Sequence, residues 1–284
     1  MSRRAREART EMPFLEHLEE LRWRVLWSLL ALLVGAVIGF VIVTRFDVLG
    51  LLIRPYLPYM DGTRLHYLSP GDPFFLTLKL GVTVGLLLAF PFIVYQVWSF
   101  LSPALHAHER RAIVPAFYLG LVLFCGGMAL AYYAALPVTL DFMSGFQEES
   151  LEPMVTAGFY LSFVTKLLLG FGLVFELPVV IMVLAVTGLV GSKGLRAKRR
   201  YAIVGATVLA AIITPGDFLL LTVFLMAPLI LLYELGIGLT VLVERRRARA
   251  EQAEAEAEAK ARAEARGSAT SGPTDHATNP AGAQ

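Results

Sequence analysis

Cysteine and charged residues are both scarce in this sequence of 284 residues. The single cysteine, Cys125, cannot form an internal disulfide bond or supply a cysteine-rich metal cluster. Charged residues make up 17% of the chain, where a soluble domain has about 25%, and residues 25–243 hold only 23 of the 48 charges. A net charge of +2 is too small to indicate nucleic-acid binding. The composition excludes a soluble enzyme, a fibrous protein and a disordered chain, and it indicates a polytopic helical membrane protein.

The apolar residues form stretches that are long enough to cross a membrane as helices. Four stretches are separate, at residues 25–44, 76–98, 112–136 and 159–187. A further apolar block, residues 201–243, is interrupted at Thr214-Pro215-Gly216-Asp217, where proline and glycine favour a turn and aspartate can cap the next helix. The sequence therefore predicts an all-α protein with six transmembrane helices.

The fifth and sixth helices are predicted to be short. As a helix, residues 201–213 would rise only about 20 Å, whereas the hydrocarbon layer is about 30 Å thick. Prolines also lie inside or at the edges of several spans, at Pro91, Pro115, Pro178 and Pro228. Because proline bends helices, we expect a cupped, concave bundle rather than a set of straight rods.

Lysine and arginine are unequally divided between the two sets of connecting segments. One set carries twenty of them, in residues 1–24, at Arg110 and Arg111, in residues 193–200 and in the tail. The other set carries only Arg45, Arg54 and Arg64. Because cytoplasmic segments retain positive charge, both termini are predicted to be cytoplasmic.

Composition divides the chain into four parts. Residues 1–24 are predicted to form a cytoplasmic amphipathic segment, with Phe14, Leu18, Leu21 and Val25 at helical spacing. Residues 25–243 form the membrane domain, residues 244–266 a solvated charged helix, and residues 267–284 a disordered tail. The first span is as long as a full crossing and no cleavage site is evident near its end, so we expect it to be retained.

Carboxylates in two predicted cytoplasmic segments are candidate ligands for a basic partner. Glu20 can pair with Arg24 four residues later, which would be an ordinary surface ion pair. Alternatively, one glutamate of this segment stays unpaired and offers a fork-shaped acceptor to an incoming guanidinium. Glu109 precedes Arg110 and Arg111 in the second segment, where a solvated helix start is the simpler interpretation.

Neither a metal site nor a catalytic site is expected. His106 and His108 are two residues apart, so they would diverge on a helix, and no third ligand is evident nearby. Cys125 has no histidine or acidic neighbour in its own span, which disfavours an intramembrane enzyme. We therefore predict no cofactor and no covalent catalysis.

Glu176 is the most distinctive polar residue within a predicted span. Placing a carboxylate there is unfavourable in free energy, so such a group rarely faces lipid. We expect it to face a watery concavity, to be protonated, or to bond to a neighbouring helix. Lys166 lies about 15 Å away along a straight helix, which is too far for a direct pair.

Nine short segments, in order across residues 12–240, form a recognisable pattern. They are His17-Leu18-Glu19-Glu20-Leu21-Arg22, Ser69-Pro70, Phe74-Phe75, Tyr95-Gln96-Val97-Trp98, Pro103-Ala104-Leu105, His108-Glu109-Arg110-Arg111, Leu161-Ser162-Phe163, Phe175-Glu176-Leu177-Pro178 and Thr214-Pro215-Gly216-Asp217. This pattern resembles the TatC family, the multispanning subunit of the Sec-independent twin-arginine protein translocase.

The resemblance implies a receptor in the cytoplasmic membrane that binds twin-arginine signal peptides on folded cargo, with export driven by the protonmotive force. Residues at the family's signal-binding positions are Glu20, Arg22, Phe100 and Glu109. The implied partners are these signal peptides, single-span TatA-type and TatB-type subunits, and further copies of the chain. The chemistry agrees, because paired arginines need two carboxylates on one side of the membrane, and lysine lacks the planar fork.

The resemblance implies intramembrane polar or partner-docking positions at Glu176, Thr214 and Asp217. For Glu176 it implies a polar pocket in the concave face that is used by the apolar part of the signal or by a partner helix. Two departures from the family weaken this part of the match. Leu221 stands where a polar residue is common, and the turn reads Pro-Gly rather than Pro-Pro. The alternative function is secondary transport of a small solute, but transporters commonly contain internal repeats and no duplicated half is evident here.

Overall fold

Helices form nearly all of the described structure. The computed structural model describes residues 14–59, 65–101, 113–145, 155–213 and 219–270. Within those ranges there is no strand, and the only extended pairing is one bridge between His66 and Thr156. The predicted all-α fold is confirmed. The candidate site residues Glu109, Thr214 and Asp217 lie outside the described ranges, as do His106 and His108.

Ten α-helices follow one another within the described residues. They are α1 (Phe14–Arg45), α2 (Val48–Ile53), α3 (Asp72–Leu101), α4 (Ile113–Leu130), α5 (Leu136–Ser144), α6 (Ala157–Phe175), α7 (Leu177–Val186), α8 (Ser192–Ala197), α9 (Arg199–Ile213) and α10 (Leu219–Thr270). A 3₁₀-helix, Arg54–Tyr59, follows α2. A π-helical segment, Ala131–Ala135, joins α4 to α5, and the second residue of α5 is Pro137, which has no N–H to donate to the preceding turn.

Within the described residues, five helical stretches are long and apolar enough to cross a membrane. These are His17–Arg45, Asp72–Phe100, Val114–Ser144, Ala157–Val186 and Met226–Lys260. The chain is therefore a multi-pass membrane protein. With 15 residues, α9 is about 22 Å long and falls short of the hydrocarbon thickness. A sixth crossing and the cytoplasmic location of both termini stay predictions.

The amphipathic segment before the first span is not a helix of its own. Its described part is the beginning of α1, which continues without a break from Phe14 to Arg45 over 32 residues. From Phe14 up to Gly35, α1 contains neither proline nor glycine. No helix-breaking residue therefore ends the helix where the apolar span begins.

The last helix is longer than predicted. α10 has 52 residues and passes from its apolar part into residues 244–266, which contain strong helix formers and neither glycine nor proline. At the junction, Glu244 accepts hydrogen bonds from the Ser192 backbone N–H at 2.8 Å and the Ser192 hydroxyl at 2.6 Å. The prediction of a short sixth helix is therefore wrong, and Glu244 belongs to the packed structure.

The predicted fourth span is divided at Glu176. This residue separates α6 from α7, and its N–H donates to the Leu173 carbonyl at 3.2 Å. Pro178 lies in the first turn of α7, where its missing N–H costs nothing. The proline therefore produces the expected irregularity in this span and sets Glu176 at the junction.

The most buried residues of the core are on α5 and α6, where Leu136, Leu161, Val164 and Leu167 are at most 1% exposed. By contrast, α1 is peripheral and packs mainly along α3, so most of its apolar side chains are exposed, as expected for a surface that faces lipid or a partner.

Glycines allow α1 and α3 to approach closely. Each helix carries two glycines four residues apart, Gly35 and Gly39 on α1 and Gly81 and Gly85 on α3. A Cβ at Gly35 would lie 2.5 Å from the Gly85 carbonyl oxygen, and one at Gly81 would lie 2.8 Å from the Cα of Phe40. This arrangement is the small-residue crossing common between transmembrane helices. It fixes α1 against α3 and so aligns the side chains at the ends of both helices.

Candidate functional site

A group of polar and aromatic side chains lies where the beginning of α1 meets the end of α3. We call it the Glu20 cluster, and its members are His17, Glu20 and Arg24 on α1 with Gln96 and Phe100 on α3. The three α1 residues share one helix face because they are three and four positions apart. The glycine crossing of α1 and α3 brings the two α3 residues to that face.

Arg24 links the two helices within the cluster. Its Nε donates to Glu20 Oε1 at 2.9 Å, and its Nη2 donates to the same oxygen. Its Nη1 donates to Gln96 Oε1 at 3.3 Å, and Gln96 is only 9% exposed. The guanidinium therefore binds one oxygen of Glu20 and one buried amide, and the ion pair considered from sequence is present.

The second carboxylate oxygen of Glu20 is in a different situation. Oε2 is buried and has no hydrogen-bond partner among the described residues. His17 Nδ1 is 3.9 Å away, which is beyond hydrogen-bond distance, and the His17 ring stacks on Phe100 with centroids 4.3 Å apart. One face of Glu20 thus offers an unused acceptor beside a pair of stacked rings.

The structure brings together some of the residues assigned from sequence and not others. Glu20 and Phe100 lie in one cluster, joined through His17. Arg22 is exposed and takes no part in the recorded contacts of Glu20. Glu109 lies outside the described residues. Sequence reasoning missed Gln96 as a partner of Arg24, and the only available signal was an amide near the end of an apolar span.

Glu176 occupies a separate position at the junction of α6 and α7. A Cβ at Gly120 on α4 would lie 2.9 Å from Glu176 Oε2, so the carboxyl group packs where that helix has no side chain. Oε1 is buried without a hydrogen-bond partner in the described chain. Lys166 is exposed and forms no ion pair with Glu176 among the described residues. Within the described residues, no hydrogen bond from the Glu176 side chain to a neighbouring helix is observed.

Metal ligation is not supported by the geometry of the described residues, which contain no group of three histidine, cysteine, aspartate or glutamate side chains close enough to hold an ion. Cys125 is exposed. Arg199 on α9 and Glu234 on α10 form an exposed ion pair at 2.7 Å, and the predicted docking residues Thr214 and Asp217 lie outside the described residues.

Comparison with known proteins assigns the family. The sequence model described as Sec-independent protein translocase protein (TatC) matches residues 16–228, which is most of the chain. This chain belongs to the TatC family. The resemblance inferred from nine short segments is thereby confirmed. The chain is a component of a Sec-independent protein translocase, a transport protein rather than an enzyme.

Individual members of the family are similar over most of their length. The TatC of Aquifex aeolicus is 40% identical over 237 residues, which cover 82% of this chain and 97% of the relative. The TatC of Escherichia coli K12 is 36% identical over 228 residues, covering 79% and 86%. The crystal structure of a twin arginine translocase receptor, TatC, superposes with a TM-score of 0.70 at 38% identity, covering 80% of this chain and 99% of that one.

Proposed function

We propose that this TatC chain is the signal-peptide receptor of a twin-arginine translocase. In this proposal, it binds the paired arginines of signal peptides on folded cargo at the cytoplasmic face of the inner membrane. The observation that carries the proposal is the unused Oε2 of Glu20, which is buried and has no partner among the described residues. A buried acceptor without a donor is unfavourable, so a ligand that brings N–H groups to it gains binding energy.

The surroundings of Glu20 suit a guanidinium better than an ammonium. Arginine presents planar N–H donors to a carboxylate and also stacks on aromatic faces, whereas lysine is a compact point charge. His17 stacks on Phe100, and the His17 ring lies beside Glu20 Oε2. We assign Phe100 to this stacking role, and we assign Arg22 to orientation of the signal peptide.

A second arginine needs a second carboxylate, and we assign that role to Glu109. The two glutamates would each accept one guanidinium on the same side of the membrane. This side is cytoplasmic in the proposed topology, which has six spans with both termini inside the cell.

Partner docking is assigned to the polar positions of the second half of the membrane domain. Glu176, whose Oε1 lacks a partner in the described chain, would accept a hydrogen bond from a helix inserted beside α4 and α6. We also assign Thr214 and Asp217, which lie in the sequence between α9 and α10, to this docking role. The partners are single-span TatA-type and TatB-type subunits and further copies of the chain, and the protonmotive force drives transport.

A binding comparison of two peptides tests the receptor proposal. The full chain is reconstituted in nanodiscs and titrated with a twin-arginine signal peptide and with its twin-lysine variant. We expect the lysine peptide to bind at least about tenfold more weakly, because it loses charge-assisted bonds made by a planar fork. Equal affinities would contradict the proposal, and saturable uptake of a small solute by proteoliposomes would support the transporter alternative instead.

A further inference from the structure

A cleft of about 320 Å³ opens between the beginning of α3 and the beginning of α6, at the opposite end of α3 from the Glu20 cluster. Six of its lining residues carry the argument, namely Leu68, Asp72, Phe75, Lys79, Phe159 and Ser162. We call it the Lys79 cleft. Lys79 is the only cation among the described residues that line it, and none of the functions assigned above uses it.

Ser162 holds the Lys79 ammonium in place. The Lys79 Nζ donates to Ser162 Oγ at 2.7 Å, and the Ser162 hydroxyl donates its own proton to the Gly158 carbonyl at 2.6 Å. The serine oxygen is therefore an acceptor for the lysine. An ammonium has three N–H donors, and no other acceptor for it is recorded within the described chain. The remaining donors are available to a ligand in the cleft.

Asp72, the one acidic residue among the described residues that line the cleft, is already engaged. Asp72 Oδ2 accepts hydrogen bonds from the Leu68 N–H at 3.0 Å and the Ser69 N–H at 2.9 Å. These bonds fix the carboxylate to the backbone just before α3, and no ion pair joins it to Lys79 among the described residues. The positive charge of Lys79 is thus left without a neutralising partner there.

The position of Lys79 along α3 places it near a membrane surface. It is seven residues after Asp72, the first residue of the helix, and hence about 10 Å along the axis. Helical side chains lean toward the N-terminus of their helix, so the flexible lysine stem carries its ammonium back toward that surface. Phe75 and Phe159 are 66% and 78% exposed at the same end, as aromatic residues of the membrane interface commonly are.

We propose that the Lys79 cleft binds the phosphodiester of a membrane phospholipid from the leaflet at the Asp72 end of α3. Lys79 supplies the charge and the hydrogen-bond donors, and Ser162 sets the direction of the ammonium. Phe75 and Phe159 flank the glycerol and the first part of an acyl chain. A lipid is favoured over a free anion because the cleft combines a single cation with apolar walls. The cation can bind the phosphate of a lipid, and the apolar walls can contact its acyl chain.

Native mass spectrometry of the detergent-solubilised full chain, titrated with phosphatidylglycerol, tests this site. We expect Lys79→Gln to weaken lipid binding by about fivefold or more, the effect of one lysine near a lipid surface. Lys79→Arg should retain binding because it keeps the charge. Ser162→Ala should weaken binding less than Lys79→Gln, because it removes the positioning contact alone.

Lys166→Gln is the matched control, since Lys166 is an exposed lysine on the same helix as Ser162 but outside the cleft. It should leave lipid binding unchanged. An equal loss with Lys166→Gln, unchanged binding with Lys79→Gln, or equal losses with Lys79→Gln and Lys79→Arg would each overturn the proposal. Displacement of the lipid by inorganic phosphate at equal concentration would overturn the assignment to a lipid. None of these results depends on the recognition of signal peptides.

Discussion

Glu20 and Glu176 are both partly buried carboxylates with one unpartnered oxygen in the described chain, yet their surroundings differ. Glu20 has a guanidinium on its other oxygen and lies at the edge of two helices. Glu176 lies at a helix junction against Gly120, and no cation pairs with it among the described residues. The charge of Glu20 is therefore neutralised by Arg24, whereas the Glu176 side chain fits because Gly120 has no side chain.

This difference indicates what each carboxylate can bind. The site of Glu20 already holds a guanidinium, so its geometry is compatible with a second one or with exchange between the two. Glu176 is inside a span, where burying an unpaired charge is costly, so a neutral hydrogen-bond donor on an inserted helix suits it better. Within the proposed function, we therefore assign recognition of the signal to Glu20 and docking of partners to Glu176.

The largest expected effect is loss of export in variants of the proposed signal site. Glu20→Ala and Glu109→Ala should each abolish export of a twin-arginine reporter, because each removes one guanidinium acceptor. Membrane insertion, followed by fractionation, should stay normal. Glu19→Ala is the matched control, since it removes an exposed neighbouring carboxylate, and it should export normally. Normal export by the Glu20/Glu109 double variant would show that the assignment is wrong.

Gly120→Ala tests whether the position of the Glu176 carboxyl group depends on the space beside Gly120. The added Cβ would lie 2.9 Å from Glu176 Oε2, so the flexible carboxyl end must move. We expect a loss of stability of no more than about 1 kcal/mol, at the low end for overpacking, together with a severalfold loss of export. Thermal unfolding and reporter export measure the two effects.

The control for that substitution lies on the same helix. A Cβ at Gly126 meets nothing within 4 Å, so Gly126→Ala should leave export unchanged. Full export by Gly120→Ala would mean that the position of the Glu176 carboxyl group is unimportant, and the contrast between the two glutamates would then lose its functional meaning.

The smallest expected effect concerns the guanidinium already bound to Glu20. Arg24→Gln frees Oε1, so a twin-arginine peptide should bind about two- to fivefold more tightly, the equivalent of an ion pair worth up to about 1 kcal/mol. Arg199→Gln, which removes a cation from the remote pair with Glu234, should leave the affinity unchanged. Weaker peptide binding by Arg24→Gln would instead show that Arg24 holds Glu20 in its binding position and does not compete with the peptide for it.

Local spacing explains which structural features were predictable. The Glu20–Arg24 pair follows from a separation of four residues on a helix, and the break near Glu176 follows from Pro178. The length of α10 was underestimated because the sharp change in composition at residue 244 was treated as a boundary, although the backbone has no reason to stop there.

Contacts between distant segments were not predictable in the same way. The Arg24–Gln96 bond joins residues 72 positions apart, and the Lys79–Ser162 bond joins residues 83 positions apart. The closeness of Gly120 to Glu176 likewise depends on how α4 packs beside the α6–α7 junction. A single sequence shows that these residues are polar or small, but it does not show which of them meet.

By itself, the sequence determined the membrane class, the helical fold and the family of this protein, because hydrophobic length, helix period and short motifs are local properties. The tertiary structure decided which carboxylate oxygens are engaged and where Lys79 finds a partner. Those outcomes depend on close crossings such as that of α1 with α3, where the absence of side chains on four glycines sets the distance between the helices.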